Sequence, residues 1–396
     1  IGGVYAYPGT PSTEITEYVQ ASKEAREAGM HSEWSANEKT ALESALGMAY
    51  AGKRAMACMK HVGLNVAADP FVNSAITGVN GGLIIAVADD PSMHSSQNEQ
   101  DSRFYGKFAG IPVLEPSNQQ DAYDMISYGF ELSEKLSVPV MVRITTRLAH
   151  SRAVVHCSKE KETQNRLHLP DDLKQFILLP AIARKRYELL LDNQAKFVEY
   201  SSASPFNAIE MKGADLGIVC CGLAYNYFME VFEKLPQAFN LLKVSQYPLP
   251  VDKMKEIAEG SKELIIMEEG YPFVEEMVRG FFNRDQPARI KGRMDGSLPR
   301  SGELNPGIVG RALGIKTNKY HEVPEIVKSR PPALCKGCSH ADMYFALNEA
   351  LADFGKGRTF SDIGCYTLGA LPPYNSINTC VDMGASVTMA KGAADA

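Results

Sequence analysis

The sequence has no apolar run approaching the roughly 18 residues a membrane-spanning helix needs, and no charged, cleavable leader at its start. Both absences direct expectation to the cytoplasm and away from a membrane. It also lacks a basic field: 41 Lys and Arg against 47 Asp and Glu leave a net charge of −6 with no cationic cluster, which disfavours nucleic acid as a partner. Eight cysteines scattered over 396 residues are too sparse for the disulfide framework of a small secreted domain. They read as reduced thiols. With 45% hydrophobic residues, the chain is too long for one core and should divide into two to four α/β units. It opens as if inside a strand, at Ile1, and stops as if inside a helix, at Ala396, so a fragment truncated at both ends is expected.

Short apolar runs alternate with helical periodicity. Val4 to Tyr7, Ala55 to Met59, Leu83 to Ala88 and Val138 to Ile144 are strand candidates, and Gly82-Leu-Ile-Ile-Ala-Val-Ala88 is apolar throughout, as a strand covered by helices on both faces requires. The fold class is therefore α/β, with parallel sheets flanked by helices. From Ser158 to about Met211 the pattern decays into mixed charge, a linker with one helix. A second βαβαβ unit runs through Leu216 to Gly222, Tyr225 to Leu235, Leu241 to Val244 and Leu264 to Met267. Glu268 and Glu269 follow, read as helix caps or domain contacts. Ser297 to Asn305 and Lys316 to Pro332 lead into a third unit.

Ligands of open parallel sheets bind beyond the carboxyl ends of the strands, which singles out Pro8 to Glu14, Lys60 to Asn65 and Asp89 to Arg103. In the first, Thr10 lies on a loop between two prolines that pre-orders its hydroxyl; Ser12 or Thr13 should cap the helix that follows. In the second, Lys60, His61 and Asn65 share one short loop. Each is a group that can line a cleft or simply satisfy the backbone. In the third, Arg103 offers a fork for a carboxylate, or a salt bridge. Asn37-Glu38 opens a helix whose Ala41, Leu42, Ala45, Leu46 and Ala49 share a face, with Glu38 in the first turn. Burial there would raise the carboxyl pKa and suit proton exchange with a ring nitrogen.

Near the end stands Cys335-Lys-Gly-Cys338-Ser-His340, then Asp362-Ile-Gly-Cys365-Tyr366. A Cys-x-x-Cys turn plus a third thiol suits an iron–sulfur cluster or, with His340 or Cys380, a zinc ion; reduced core cysteines are the alternative. Met383-Gly384-Ala-Ser386 is a glycine turn entering a small-residue helix, a weak phosphate-binding signal.

Taken together and in this order, Tyr7 to Ser12, Asn37 to Lys39, Met59 to Asn65, Asp89 to Asp101 and the two cysteine motifs resemble the alpha subunits of indolepyruvate ferredoxin oxidoreductases, a family of thiamine-diphosphate-dependent 2-oxoacid:ferredoxin oxidoreductases. The resemblance covers the whole chain. It implies a pyrimidine-binding domain at 1–155, a linker at 156–210, a transketolase C-terminal-like domain at 211–325 and the start of a diphosphate-binding domain at 330–396. It implies oxidative decarboxylation of aryl pyruvates (indolepyruvate, phenylpyruvate) to aryl-acetyl-CoA, with coenzyme A as acyl acceptor, electrons passed to ferredoxin, and a beta subunit as partner. Glu38 matches the cofactor-activating glutamate, which acts through the aminopyrimidine ring; Thr10 and Arg103 match positions that in the wider superfamily touch the substrate carbonyl and carboxylate, and His61, from its place beside Lys60 and Asn65, is a further catalytic candidate. Asn65, Gly364, Cys365, Tyr366, Gly384 and Ser386 would contact thiamine diphosphate, with most Mg2+ ligands beyond Ala396. Cys335, Cys338 and Cys365 match three ligands of a 4Fe-4S cluster. A non-oxidative decarboxylase and a zinc-stabilised non-catalytic subunit are the alternatives.

Overall fold

Helix-flanked parallel strands dominate the computed structural model, which describes residues 1–158, 165–281, 288–316, 323–328, 332–354 and 359–396. Contacts divide the chain into two compact units, Ile1–Thr317 and Asn318–Ala396. The first holds β1 (Gly3–Ala6), β2 (His31–Trp34), β3 (Ala55–Lys60), β4 (Leu83–Asp89), β5 (Val113–Leu114), β6 (Val140–Thr145), β7 (Ile209–Glu210), β8 (Leu216–Cys221), β9 (Asn240–Val244), β10 (Gln246–Tyr247), β11 (Glu263–Met267) and β12 (Arg289–Lys291).

These strands make two sheets, ordered β10-β5-β6-β4-β3-β1-β2 and β12-β11-β8-β9-β7. All pairs are parallel except β10 with β5 and β7 with β9. Every residue of β3, β4 and β8 is buried, which is why these runs carry no polar alternation. The edge strand β2, His31-Ser-Glu-Trp34, alternates between half-buried and exposed; its polar sequence gave no strand signal.

A main-chain pairing and a packed helix are among the contacts that bind the sheets together. Gln246 and Tyr247, which follow β9 of the second sheet directly, pair with Leu114 and Val113 of the first. The helix Pro180–Ser202, in the segment read as a linker, packs along the helix Ala68–Thr77 of the first sheet. The expected exit at Lys316 to Pro332 lies in part outside the described residues.

The second unit contains the helix Ser339–Ala352, the parallel pair β13 (Phe360–Ser361) and β14 (Thr379–Cys380), and the helix Ala385–Asp395. Among its described residues only Tyr344 is a fully buried large side chain. Its ring fills the space beside Gly369, where a Cβ would fall 2.3 Å from Tyr344 Cζ, and its hydroxyl donates to the Tyr366 carbonyl.

Candidate active site

The neighbouring strands β4, β3 and β1 run in parallel, so their carboxyl ends deliver to one edge of the first sheet two loops and, directly after β3, the helix His61–Val66, where the sequence predicts a loop. From β1 comes the turn with Thr10. Gly9 rests on Lys60, where an added Cβ would lie 3.1 Å from the Lys60 Cβ. Ser12 precedes the helix Thr13–Ala21, but its hydroxyl donates back to the Gly9 carbonyl at 2.7 Å, while Thr13 Oγ1 accepts from the Gly9 amide at 2.8 Å. Thr10 itself is exposed, and its hydroxyl has no partner among the described residues.

The loop after β4 is organised by Asp90, a residue the sequence reading did not single out. Its Oδ1 accepts from Thr146 Oγ1 at 2.8 Å and its Oδ2 from the Ser95 amide at 2.9 Å, with Ser96 Oγ bonded to the same oxygen. Burial pushes the Asp90 carboxyl up, but these bonds and Lys60 hold it below its ordinary value. Lys60 Nζ donates to the Ser95 carbonyl at 2.8 Å and lies 3.9 Å from Asp90; burial lowers its pKa against the pull of that carboxylate. An aspartate followed by Pro-Ser and two further serines was the available signal.

Glu38 opens the helix Glu38–Tyr50 because Asn37 caps it. Asn37 Oδ1 accepts from the Thr40 amide at 2.9 Å, and Thr40 Oγ1 accepts in return from the Asn37 amide at 3.2 Å. Ala41, Leu42, Ala45, Leu46 and Ala49 are all buried, which draws the first turn inward with them. Glu38 is only 2% exposed, and burial raises its carboxyl pKa against an opposing bond from its own backbone. Among the described residues no other side chain pairs with it. Its carboxyl lies on the backbone of Gly63: a Cβ there would fall 2.4 Å from Glu38 Oε1.

The structure therefore brings Thr10, Lys60 and Asp90 into one contiguous cluster and sets Glu38 on the helix His61–Val66 that continues from Lys60. Asn65, on the same helix, accepts from the Tyr105 hydroxyl at 2.6 Å. Two expectations are corrected. His61 is 1% exposed, with Nδ1 3.4 Å from the Ala88 carbonyl and Nε2 3.3 Å from that of Asn98. Both nitrogens face main chain, so His61 ties β4 to its loop and offers no atom to a substrate. Arg103 is 0% exposed and makes no carboxylate clamp. Its Nε donates to Asp101 at 2.9 Å, Nη1 meets Glu268 at 2.9 Å and Tyr247 at 3.2 Å, and Nη2 donates to the Glu269 and Tyr271 carbonyls. No donor faces outward.

Glu268 accepts from the Val274 amide at 2.9 Å and Glu269 from the Leu304 amide at 3.0 Å, the capping and domain contacts expected of them. Burial pushes these carboxyls up, to about 6 and about 7.

In the second unit, Cys335 and Cys365 are exposed and Cys338 is half-buried. Cys338 Sγ lies 3.3 Å from His340 Nδ1. Cys380 Sγ donates to the Asp362 carbonyl at 3.1 Å. Among the described residues no three Cys, His, Asp or Glu side chains converge as metal ligands, so Cys335, Cys338 and Cys365 are not brought together as a ligand set. Gly364 donates its amide to Thr367 Oγ1 at 3.1 Å, and the Tyr366 ring stands edge-on to His340 at 5.6 Å. Gly384 has φ +90°, a conformation glycine adopts without strain, and starts the helix Ala385–Asp395. The Ser386 amide donates to Asp362 Oδ1 at 2.6 Å, so a carboxylate of this unit already takes that donor.

Residues 2–186 match the family described as pyruvate flavodoxin/ferredoxin oxidoreductase, thiamine diphosphate-binding. The indolepyruvate oxidoreductase subunit IorA of Archaeoglobus fulgidus is 42% identical over 405 residues, covering 98% of this chain and 64% of that protein. The subunit of the same name from Methanothermobacter marburgensis is 39% identical, over 99% and 65%. The chain thus spans somewhat under two thirds of these relatives. Among solved structures, the 2-oxoglutarate:ferredoxin oxidoreductase from Magnetococcus marinus, described with 2-oxoglutarate, coenzyme A and succinyl-CoA bound, superposes with a TM-score of 0.60 at 16% identity over 79% of this chain and 62% of that one. That likeness is one of fold.

Proposed function

From its 42% and 39% identity to indolepyruvate oxidoreductase IorA subunits, we propose that the chain belongs to their family and is the thiamine-diphosphate-binding part of an enzyme that oxidatively decarboxylates aryl 2-oxoacids such as indolepyruvate and phenylpyruvate. The acyl group would pass to coenzyme A and the electrons to ferredoxin, with a beta subunit completing the assembly in the cytoplasm. No helix among the described residues is long and apolar enough to cross a membrane.

One observation carries this reading: Glu38 is a buried carboxyl that no other side chain neutralises among the described residues, set on a glycine whose missing Cβ leaves its oxygen room. The chemistry of that carboxyl suits an aminopyrimidine, because a carboxyl with a raised pKa can hold a proton at Oε1 or Oε2 and exchange it with a ring nitrogen. Thiamine diphosphate, when bound, supplies the carbon nucleophile and the electron sink for decarboxylation.

The remaining roles belong to this chain. The Asn37 capping box holds Glu38 at the first turn, where the helix dipole favours its ionised form while burial favours the neutral one. Those opposed influences suit a group that both takes and returns a proton. Asp90 and Lys60 fix the loop beside the Thr10 turn, leaving the Thr10 hydroxyl to meet an oxygen of the substrate. Asn65 is the proposed further contact to the cofactor in the first unit; Gly364, Cys365, Tyr366, Gly384 and Ser386 of the second unit are proposed as cofactor contacts on the family resemblance alone. Cys335, Cys338 and Cys365, as folded here, do not form a cluster site, and no step is assigned to them; a zinc site at Cys338 and His340 likewise lacks a third ligand among the described residues.

Replacement of Glu38 by Gln in the complete enzyme tests the reading. Indolepyruvate-dependent reduction of a dye acceptor should fall by about 10²–10⁴-fold, while thiamine diphosphate still binds by circular dichroism titration. Undiminished turnover would overturn the assignment.

A further inference from the structure

A cavity of about 180 Å3 opens between the two sheets of the first unit, beside the helix Arg103–Ala109. Its walls are Ile111, Val113, Leu249, Phe273 and Met277, of which the first four are at least 96% buried. Glycines at 106 and 110 shape the near side: the backbone at Gly106 comes so close to Val113 that a Cβ would lie 2.3 Å from its Cγ2, and Gly110 has φ +70°. None of Thr10, Glu38, Lys60 or Asp90 lines it.

The volume is that of a small ring. An apolar cavity of about 150 Å3 is known to accept benzene, so this one holds a single six-membered ring with a short substituent. The charge of the lining sets the substituent. Arg103 and Lys107 are its cations, and it contains no carboxylate. Arg103 is neutralised behind the wall by Asp101 and Glu268. Lys107 is not: it is exposed, its Nζ stands 5.7 Å from the centroid of the Phe273 ring, and no acidic side chain pairs with it among the described residues.

We propose that this cavity is a binding site for a one-ring aromatic monocarboxylate, its ring against Phe273 and its carboxylate on Lys107. The site is separate from the cluster around Glu38, yet it shares a helix with that cluster's support. Tyr105, one residue before Gly106, donates to Asn65 on the helix that carries Gly63. An occupant therefore lies against the helix Arg103–Ala109, one hydrogen bond removed from the helix that buttresses the Glu38 carboxyl, the position of a modulator.

Phenylacetate is the probe, titrated into the chain by calorimetry and by saturation-transfer NMR without added cofactor, so that the outcome does not depend on the proposed catalytic activity. Saturable binding at millimolar concentration or tighter is expected. Lys107→Glu, an exposed change, should weaken phenylacetate by about tenfold or more and leave neutral benzyl alcohol unaffected. Met277→Trp, which fills the cavity, should abolish binding of both. Absence of saturable phenylacetate binding, equal affinity for benzylamine, or binding unchanged by Lys107→Glu would each overturn the proposal, the last even if the tryptophan variant failed to fold.

Discussion

The Glu38 carboxyl occupies the space that a side chain on Gly63 would need, since a Cβ there would lie 2.4 Å from Oε1 and 2.7 Å from Cδ. The contact joins the start of one helix to the middle of another. It makes the position of the proposed proton-transfer group depend on a residue with no chemistry of its own.

A mutant cycle follows from that dependence. Glycine inside a helix costs about 0.5–1 kcal/mol relative to alanine, and Gly63 has no positive φ to protect. In a Glu38→Ala background, Gly63→Ala should therefore stabilise the protein by about that amount. With Glu38 present the same change should destabilise it and displace the carboxyl, lowering turnover by roughly 100-fold. Thermal melts of the four proteins and turnover of the complete enzyme provide the check; additive effects would show that the two residues do not press on each other.

Loss of the cap is a separate expectation. Asn37→Ala removes the acceptor for the Thr40 amide and should cost about 1 kcal/mol in urea denaturation. Asn37→Asp and Asn37→Ser should retain most of that stability, because either side chain supplies an acceptor oxygen at the same place.

Arg103 distinguishes a structural group from a substrate-binding one. Replacing it with Met takes the guanidinium from Asp101 and Glu268, both fully buried, and leaves Asp101 only Arg143 at 3.6 Å as a cation, so a loss of about 3–5 kcal/mol is expected. The measurement is chemical denaturation. A variant as stable as the parent, with only KM for the oxoacid raised, would restore the carboxylate-clamp reading.

The pH dependence of stability should carry the mark of Glu269. Its carboxyl rises from 4.5 to about 7, first through burial. A raised carboxyl binds its proton more tightly folded than unfolded. Its contribution is thus fully present below the ordinary carboxyl pKa and is lost as pH climbs through about 7. At about 1.4 kcal/mol per unit, the decline amounts to a few kcal/mol between pH 4.5 and 7. Glu269→Gln, which keeps an acceptor for the Leu304 amide, should flatten that slope in denaturation series taken across the window.

Much of the architecture was legible before any coordinates. The apolar runs of β3, β4, β8 and β11 fall where the sequence placed them, and the helix opened by Asn37-Glu38 has Glu38 in its first turn and the expected buried face of Ala41, Leu42, Ala45, Leu46 and Ala49. Local signals suffice there: a strand buried on both faces must be apolar at each position, and a helix start must satisfy its first amides within three residues. The short polar edge strand β2 escaped notice because nothing in four residues of mixed polarity distinguishes it from a loop.

By itself the sequence determined the fully buried strands, the loops after β1 and β4 that reach the sheet edge and the presence of a glutamate in the first turn of a packed helix, while His61–Val66, expected as a loop, is helical. Only the tertiary structure decided which polar groups remain available there. His61 and Arg103 resemble site residues in one dimension, yet they are consumed by partners brought in from Asn98, Tyr247, Glu268 and Glu269. Glu38 is left over. The reason is physical: the Arg103 partners lie more than a hundred residues away and are chosen by how two sheets pack, while the His61 partners are set by how the loop after β4 folds back over it, and no local pattern encodes either choice.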